Sequence, residues 1–417
     1  MATVIEDPLD ATAPGERNKK WPDAGRNLPP AIVLDGRMNA VSIARGLALL
    51  KIPVYALGMP TSPTKYSRYV RWISMPETDA PADAWADYLL GPQSDHLRGA
   101  VLIVAGDIGL EVLMSHRAAL AERFRLDLVN PAAQECMLDK LRTYRAAEAA
   151  GIPTPRFWRA NSIEQVRSLR GDLVFPLLVK PTLSHLFQKQ FAVKHFSAED
   201  FDELLDALRV VNGAESDVML VERIPGPDDR LCSYYTYLDA DGTPQFDFTK
   251  RIIRRYPIGE GNACYHVTDD NPEIRELALA LFRHVGLVGF ANVEFKRDDR
   301  DGRLKLIECN ARFTASDCLI ARSGFNLARF VYKRIVGLPP EPLPSYRRGL
   351  RLWYPLDDFL AYRELRRRGE MTFWQWLSSI AHRQTLPLFQ FRDPLPTLVN
   401  EASRAKRIAR RIIGKII

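Results

Sequence analysis

The chain of 417 residues is 46% hydrophobic and 26% charged. It has no apolar run near the roughly 18 residues of a membrane span, so it reads as a folded chain of two or three domains. Its net charge of +7 is concentrated in residues 401–417, where six Lys or Arg accompany Glu401; the near-neutral remainder argues against a nucleic-acid binder.

Residues 1–30 carry acids and prolines without an apolar core, which predicts a mobile arm and no secretory signal. From Ala31 the pattern turns to strand, helix, strand. Ala31 to Leu34 and Val54 to Leu57 flank a helix with Ile43, Leu47 and Leu50 on one face, and V-L-I-V follows at Val101. This predicts a small parallel α/β domain over 31–130. The loop D-G-R-M-N-A lacks G-x-G-x-x-G and no Walker sequence occurs, so neither phosphate-binding loop is supported.

A helix over P-A-A-Q-E-C-M-L-D-K-L-R-T-Y-R-A-A-E-A-A-G is expected to end at Gly151, before Pro153. An α+β segment follows. Its expected strands are 176–180, 190–195, 218–223, 231–238, 245–252, 288–296 and 304–309, with helices near 163–169, 198–209, 272–285 and 324–336. The turns D-A-D-G at 239–242 and D-D-R-D-G at 298–302 imply antiparallel hairpins. A linker, L-P-P-E-P-L-P, separates 131–340 from a C-terminal extension over 341–417. The cysteines (Cys136, Cys232, Cys264, Cys309, Cys318) form no C-x-x-C pair and are odd in number, which favours reduced packing thiols in a cytoplasmic chain.

Three sets of residues carry chemistry. In L-K-L-I-E-C-N-A-R-F, Glu308, Asn310 and Arg312 alternate at the end of a strand, and the hairpin with F-A-N-V-E-F-K brings Glu294 across or diagonal to Glu308. Two carboxylates and an amide on one face suit a hard cation such as Mg²⁺, though a solvated sheet edge would look the same. Lys180 ends an apolar strand and Lys140 sits on the preceding helix, where either meets an anion or simply faces solvent. In T-K-R-I-I-R-R-Y-P, period two divides the basic side chains: Arg251 and Arg255 on one face, Lys250 and Arg254 on the other.

Taken in order, D-K-L-R-T-Y-R-A-A-E-A-A-G-I-P-T-P, L-L-V-K-P, V-E-R-I-P-G-P-D-D, K-R-I-I-R-R-Y-P, G-F-A-N-V-E-F-K-R-D and L-I-E-C-N-A-R-F resemble the ATP-grasp superfamily of carboxylate–amine ligases, in its carbamoyl-phosphate-synthase-like and D-aspartate-ligase-like branch. The resemblance covers roughly residues 31–340. It implies a mixed α/β and α+β fold: a Rossmann-like pre-grasp domain, a two-subdomain ATP-grasp fold and a helical C-terminal extension. It implies that Lys140 and Lys180 contact ATP phosphates, that Glu222, Arg223 and Ile224 form the adenine hinge, and that Asp229 meets the ribose. Glu294, Glu308 and Asn310 would hold Mg²⁺, two ions in the usual arrangement and replaceable by Mn²⁺; Arg254 and Arg312 would meet the γ-phosphoryl group or the substrate carboxylate. The loop after Lys180, T-L-S-H-L-F-Q-K-Q, departs from many members in having no glycine; Ser184 and His185 are its substitute donors.

The implied reaction joins a carboxylate to an amine through an acyl phosphate, releasing ADP and phosphate. Rival readings are a nucleotide-binding scaffold without catalysis and a kinase that stops at a phosphorylated small molecule. The expected partners are small-molecule carboxylates and amines, with no nucleic acid; a homodimer is compatible. In the tail, Ile408, Ile412, Ile413 and Ile416 gather opposite Arg404, Arg407, Arg411 and Lys415. Such a helix suits either peripheral contact with an anionic membrane at the inner face or docking on the protein itself.

Overall fold

Runs of β-branched and aliphatic residues form the strands, and Gly or Asp-rich turns end them. The computed structural model describes residues 28–34, 38–160, 162–182, 187, 191, 193–212, 218–339 and 345–413. Contacts gather the chain into two units: Met1–Leu128 with Arg312–Leu356 and Gly369–Ile417, and Val129–Ala311 with Asp357–Arg368. The first division falls beside the boundary expected near 130, whereas the later ones fall at Arg312, Asp357 and Gly369 and not near 340.

In the first unit β1 (Ala31–Leu34), α1 (Met38–Ala48), β2 (Val54–Gly58), β3 (Arg71–Ser74) and β4 (Val101–Val104) build a four-stranded sheet in the order β3-β2-β1-β4. Every pairing is parallel, as the repeated strand–helix pattern predicts. Buried Ile43 and Leu47 face inward from α1, whereas Leu50 lies beyond the end of the helix. Strand β3 was not expected: R-W-I-S leaves Arg71 and Ser74 exposed and shows no apolar run. Ile32, Leu34, Leu57, Trp85 and Leu89 form the centre of the core.

The second unit begins with α2 (Pro131–Leu138) and α3 (Lys140–Ala149). The single helix expected here is broken, because Asp139 leaves helical geometry at ψ 114° and its Oδ1 accepts the Arg142 N–H at 2.9 Å. Aspartate thereby begins a new helix instead of continuing the old one. Next come β5 (Phe157–Ala160), β6 (Leu177–Pro181), β7 (Phe196–Ala198) and β8 (Val218–Glu222), antiparallel in the order β5-β8-β6-β7. The strand expected over 190–195 is replaced by β7, just after it. Strands β9 (Leu231–Leu238), β10 (Phe248–Tyr256) and β11 (Asn262–Asp269), helix α4 (Pro272–Val285), and strands β12 (Gly289–Arg297) and β13 (Leu304–Asn310) complete the unit. The neighbours run β13-β12-β9-β10-β11, all antiparallel.

Both expected hairpin turns form, with Gly242 and Gly302 at φ +78° and +70°, values that favour glycine. Ala291, Val293 and Phe295 of β12 and Leu304 and Leu306 of β13 pack on α3 and α4 in one apolar core. The even-numbered residues of β12 therefore face away from that core. The tail forms a helix over Leu395–Ile413, but the side chains from 407 onward lie outside the described residues, as do residues 1–27 and Ser184 and His185. No helix among the described residues is long and apolar enough to cross a membrane.

Candidate active site

Strand β12 supplies Asn292, Glu294 and Lys296 on its open face, and β13 answers with Glu308 opposite Glu294 and Asn310 opposite Asn292. Strict alternation would have placed Glu308 on the side of Leu306, inside the core. A β-bulge prevents this: Phe295 pairs with Leu306 and Glu294 with Glu308, so Ile307 is the extra residue and the phase of the strand flips after it. The amides are joined, Asn310 Nδ2 donating to Asn292 Oδ1 at 3.4 Å and Asn292 Nδ2 to the Tyr234 carbonyl at 3.1 Å. From β9, Ser233 Oγ donates to Glu294 Oε1 at 3.4 Å.

Two carboxylates held face to face disfavour the ionised form. Burial raises the Glu294 carboxyl above its ordinary range; Glu308 adds to the effect, and Lys250, Lys194 and Arg255 oppose it. On the opposite side of this charge balance, Lys180 alternates out from between buried Val179 and Pro181 on β6. Burial brings its ammonium down to about 8 against the pull of Glu308, with Lys140, Arg255 and Lys194 lowering it further. His195 is pushed down to about 4 by burial and then by Lys180. One electrostatic cluster thus joins Lys140, Lys180, Lys194, Lys250 and Arg255 with Glu294 and Glu308.

Helix α3 connects the parts: the Lys140 N–H donates to the Thr182 carbonyl at 3.4 Å, just past Lys180. Buried Lys250 has its Nζ 3.1 Å from His266 Nδ1 and 5.8 Å from the Tyr235 ring centroid.

The expected hinge has a closed framework. Glu222, only 5% exposed, ends β8; its N–H donates to the Arg156 carbonyl at 2.8 Å, its Oε2 accepts the Arg156 N–H at 3.1 Å, and its Oε1 pairs with Arg300. The Arg223 N–H donates to the Pro176 carbonyl at 3.0 Å. Lys296 Nζ donates to the carbonyls of Ile224 at 2.9 Å and Gly226 at 2.6 Å, its ammonium brought down to about 8 mainly by burial. Asp229 is exposed on a short turn, while buried Asp228 accepts from Arg255 at 2.7 Å and from the Gly259 N–H at 3.2 Å.

The two expected catalytic arginines are each paired with a carboxylate. Arg254 is 4% exposed and meets fully buried Asp358 through two prongs, Nε to Oδ1 at 2.6 Å and Nη2 to Oδ2 at 3.1 Å. Arg255, not Arg254, enters the field of Lys180 and Glu294. The expected sorting of basic residues by period two fails because register shifts interrupt β10 around Arg254. Arg312 begins a segment of the first unit, where its Nε donates to Asp107 Oδ1 at 2.5 Å.

A hard divalent cation fits this donor set. Among the described residues no cluster of three or more His, Cys, Asp or Glu exists. Mg²⁺, by contrast, is commonly bound by one or two carboxylates together with water and substrate phosphates, and the facing pair and its surrounding ammonium groups supply both halves of that requirement. Sequence reading missed Asn292 and Lys194, and within the basic run it gave Arg254 the role for which Arg255 is placed. Asn292 lay in the quoted hairpin strand, and its register opposite Asn310 was the available signal.

Residues 265–339 match the model of the carbamoyl-phosphate synthase L chain, ATP binding domain. D-aspartate ligase of Enterococcus faecium is 28% identical over 358 residues, 79% of this chain and 84% of that enzyme. D-alanine–D-alanine ligase of Alcanivorax borkumensis is 28% identical over 186 residues; that alignment takes in 42% of this chain and about half, 54%, of the enzyme. The biotin carboxylase domain of Hydrogenobacter thermophilus 2-oxoglutarate carboxylase, solved with MgADP, ADP and bicarbonate, shares the fold at a TM-score of 0.61 and 15% identity, covering 78% of this chain and 74% of that one.

Proposed function

Because this chain is an ATP-grasp protein of the carboxylate–amine ligase class, we propose that it activates a small carboxylate with ATP and transfers the acyl group to an amine. The observation that carries this reading is the facing pair Glu294 and Glu308, which interact electrostatically with Lys180, Lys194, Lys250 and Arg255, Lys140 in turn with Lys180.

A carboxylate resists attack by an amine, so it must first gain a leaving group. Its oxygen bonds to the γ-phosphorus as the bond to the β–γ bridging oxygen breaks and ADP departs. The amine nitrogen then bonds to the acyl carbon, the carbon–oxygen bond to phosphate breaks, and the nitrogen loses a proton. Lys140 and Lys180 are the groups we assign to the phosphate oxygens, the backbone over Glu222, Arg223 and Ile224 to the base, and Asp229 to the ribose. Glu294, Glu308 and Asn310 would hold Mg²⁺, which offsets phosphate charge during transfer. Arg312 and Arg254 keep the assignment to the γ-phosphoryl group or the substrate carboxylate, with Asp107 and Asp358 as their orienting partners.

Likeness to D-aspartate ligase along most of that enzyme makes amino acids, D-aspartate among them, the first acids and amines to test. Pure protein incubated with Mg·ATP and that panel is expected to release ADP and phosphate only when both an acid and an amine are present. Formation of AMP and pyrophosphate rejects the scheme. ADP release without an amine indicates a kinase, and nucleotide binding without turnover a scaffold.

A further inference from the structure

The bulge at Ile307 raises a problem that the fold has to solve. An extra residue in a strand takes a carbonyl out of the ladder, and a buried carbonyl without a donor is costly. Here the Ile307 carbonyl accepts the hydroxyl of Tyr144 at 2.9 Å. Tyr144 is 1% exposed on α3 and its ring lies 5.2 Å from that of Phe157, among Met137, Leu141, Phe282 and Leu306 of the core. Such surroundings offer a phenol little else to bond, and Ile307 little other choice of donor.

The position along α3 matters as well. Tyr144 follows Lys140 by one helical turn, so the two side chains leave the same face. The N–H of Lys140 meets the Thr182 carbonyl, just past β6 and two residues after Lys180, while Tyr144 meets β13 next to Glu308. One rigid helix therefore sets the spacing between the strand that bears the phosphate lysine and the strand that bears the carboxylate. The Tyr144 hydroxyl is engaged as a donor to the Ile307 carbonyl.

We propose that Tyr144 is a positioning residue for metal binding: its hydroxyl locks the Ile307 bulge, and the bulge turns Glu308 out of the core to face Glu294. This rests on the reading of Glu294 and Glu308 as Mg²⁺ ligands. Tyr144→Phe keeps the ring and its packing and removes only the donor. The freed carbonyl then no longer holds the phase flip, and Glu308 loses its fixed orientation.

The test measures Mn²⁺ binding in the presence of ADP by the loss of the free-ion electron paramagnetic resonance signal. Removing groups that orient metal ligands typically weakens affinity 10–100-fold, so Tyr144→Phe is expected to weaken Mn²⁺ by about tenfold or more. The Mg²⁺ concentration giving half-maximal ADP release should rise by the same factor, with excess Mg²⁺ restoring the rate. Thr143→Val is the control for simple destabilisation: Thr143, on the same helix as Tyr144, donates its hydroxyl to the Cys136 carbonyl of α2 at 2.7 Å, and its loss should leave Mn²⁺ affinity unchanged. If Tyr144→Phe does not fold, Tyr144→Met, which fills the space with an adaptable apolar side chain, takes its place with the same expectation.

Wild-type Mn²⁺ affinity in the folded Tyr144 variant, alongside lost affinity in Glu308→Gln, overturns the positioning role alone. Wild-type affinity in Glu308→Gln itself overturns the metal reading beneath it. Equal weakening in the Thr143 and Tyr144 variants assigns the effect to general loss of stability and likewise overturns the proposal.

Discussion

Glu294 and Glu308 face each other across a hairpin, an arrangement that opposes folding until a cation arrives. The Glu294 carboxyl titrates above its ordinary 4.5 in the folded chain, so the folded state holds that proton more tightly than the unfolded one. Its contribution to stability is full at low pH and is lost as pH rises through the raised value. Metal-free protein should therefore melt at lower temperature as pH increases from 4 towards neutrality, and Glu308→Gln should flatten this trend by removing the facing charge. The same variant should lower ADP release by about 10²–10³-fold or more while leaving the melting temperature in chelator unchanged or higher, a comparison made by thermal unfolding beside a turnover assay. Most members of this cluster were legible as residues: Glu294, Glu308 and Asn310 stood out as polar side chains that a hairpin brings to one face, and Lys180 as a charge ending an apolar strand, whereas Lys140, inside the single helix expected, drew its role from the family resemblance. Arg255 was not distinguishable from Arg254, since irregular register in β10 decides between them and no local pattern announces it.

Elements with a strong period were the readable ones. Helix α4, with its Asn271 cap, Pro272 at the start and left-handed Gly286 at the end, has the expected bounds, as does β9. The strands that escaped notice were β3, β5 and β11, short or mixed in polarity and defined chiefly by their neighbours. The break between α2 and α3 is informative in the same way, because D-K-L-R within a helical pattern also reads as a cap. That cap places Lys140 at the first turn of α3. Asp139→Ala should cost about 1 kcal/mol of stability by chemical unfolding and should raise the KM for ATP more than it lowers kcat, because the start of α3 frays while its packed remainder stays in place.

At the scale of the whole molecule the order of the sequence and the order of the contacts diverge. The helix segment Asp357–Arg368 follows residues of the first unit yet belongs to the second. It inserts Asp358 against Arg254, and the Glu364 carboxylate accepts the Ile258 N–H at 3.3 Å. Composition and spacing mark L-P-P-E-P-L-P as a linker and so suggest a detachable extension; pairing over 104 residues leaves no local trace to correct that impression. Asp358→Ala strands a buried guanidinium, and breaking such a pair from one side costs about 3–5 kcal/mol, measurable by chemical unfolding. A chain ending at residue 339 should suffer the same loss and fail to yield a folded second unit. In the first unit, Arg45 is likewise held by Asp393, at 3.0 Å.

Asp358 also sets a schedule. Chains emerge from the ribosome N-terminus first, and domains tend to fold as they appear. Here both lysines, both acids and the whole five-strand run are made before the carboxylate that neutralises Arg254. The second unit therefore waits, nearly complete, for a segment synthesised after much of its sister unit. A prematurely terminated product holds every proposed ATP ligand without the closure needed to use them.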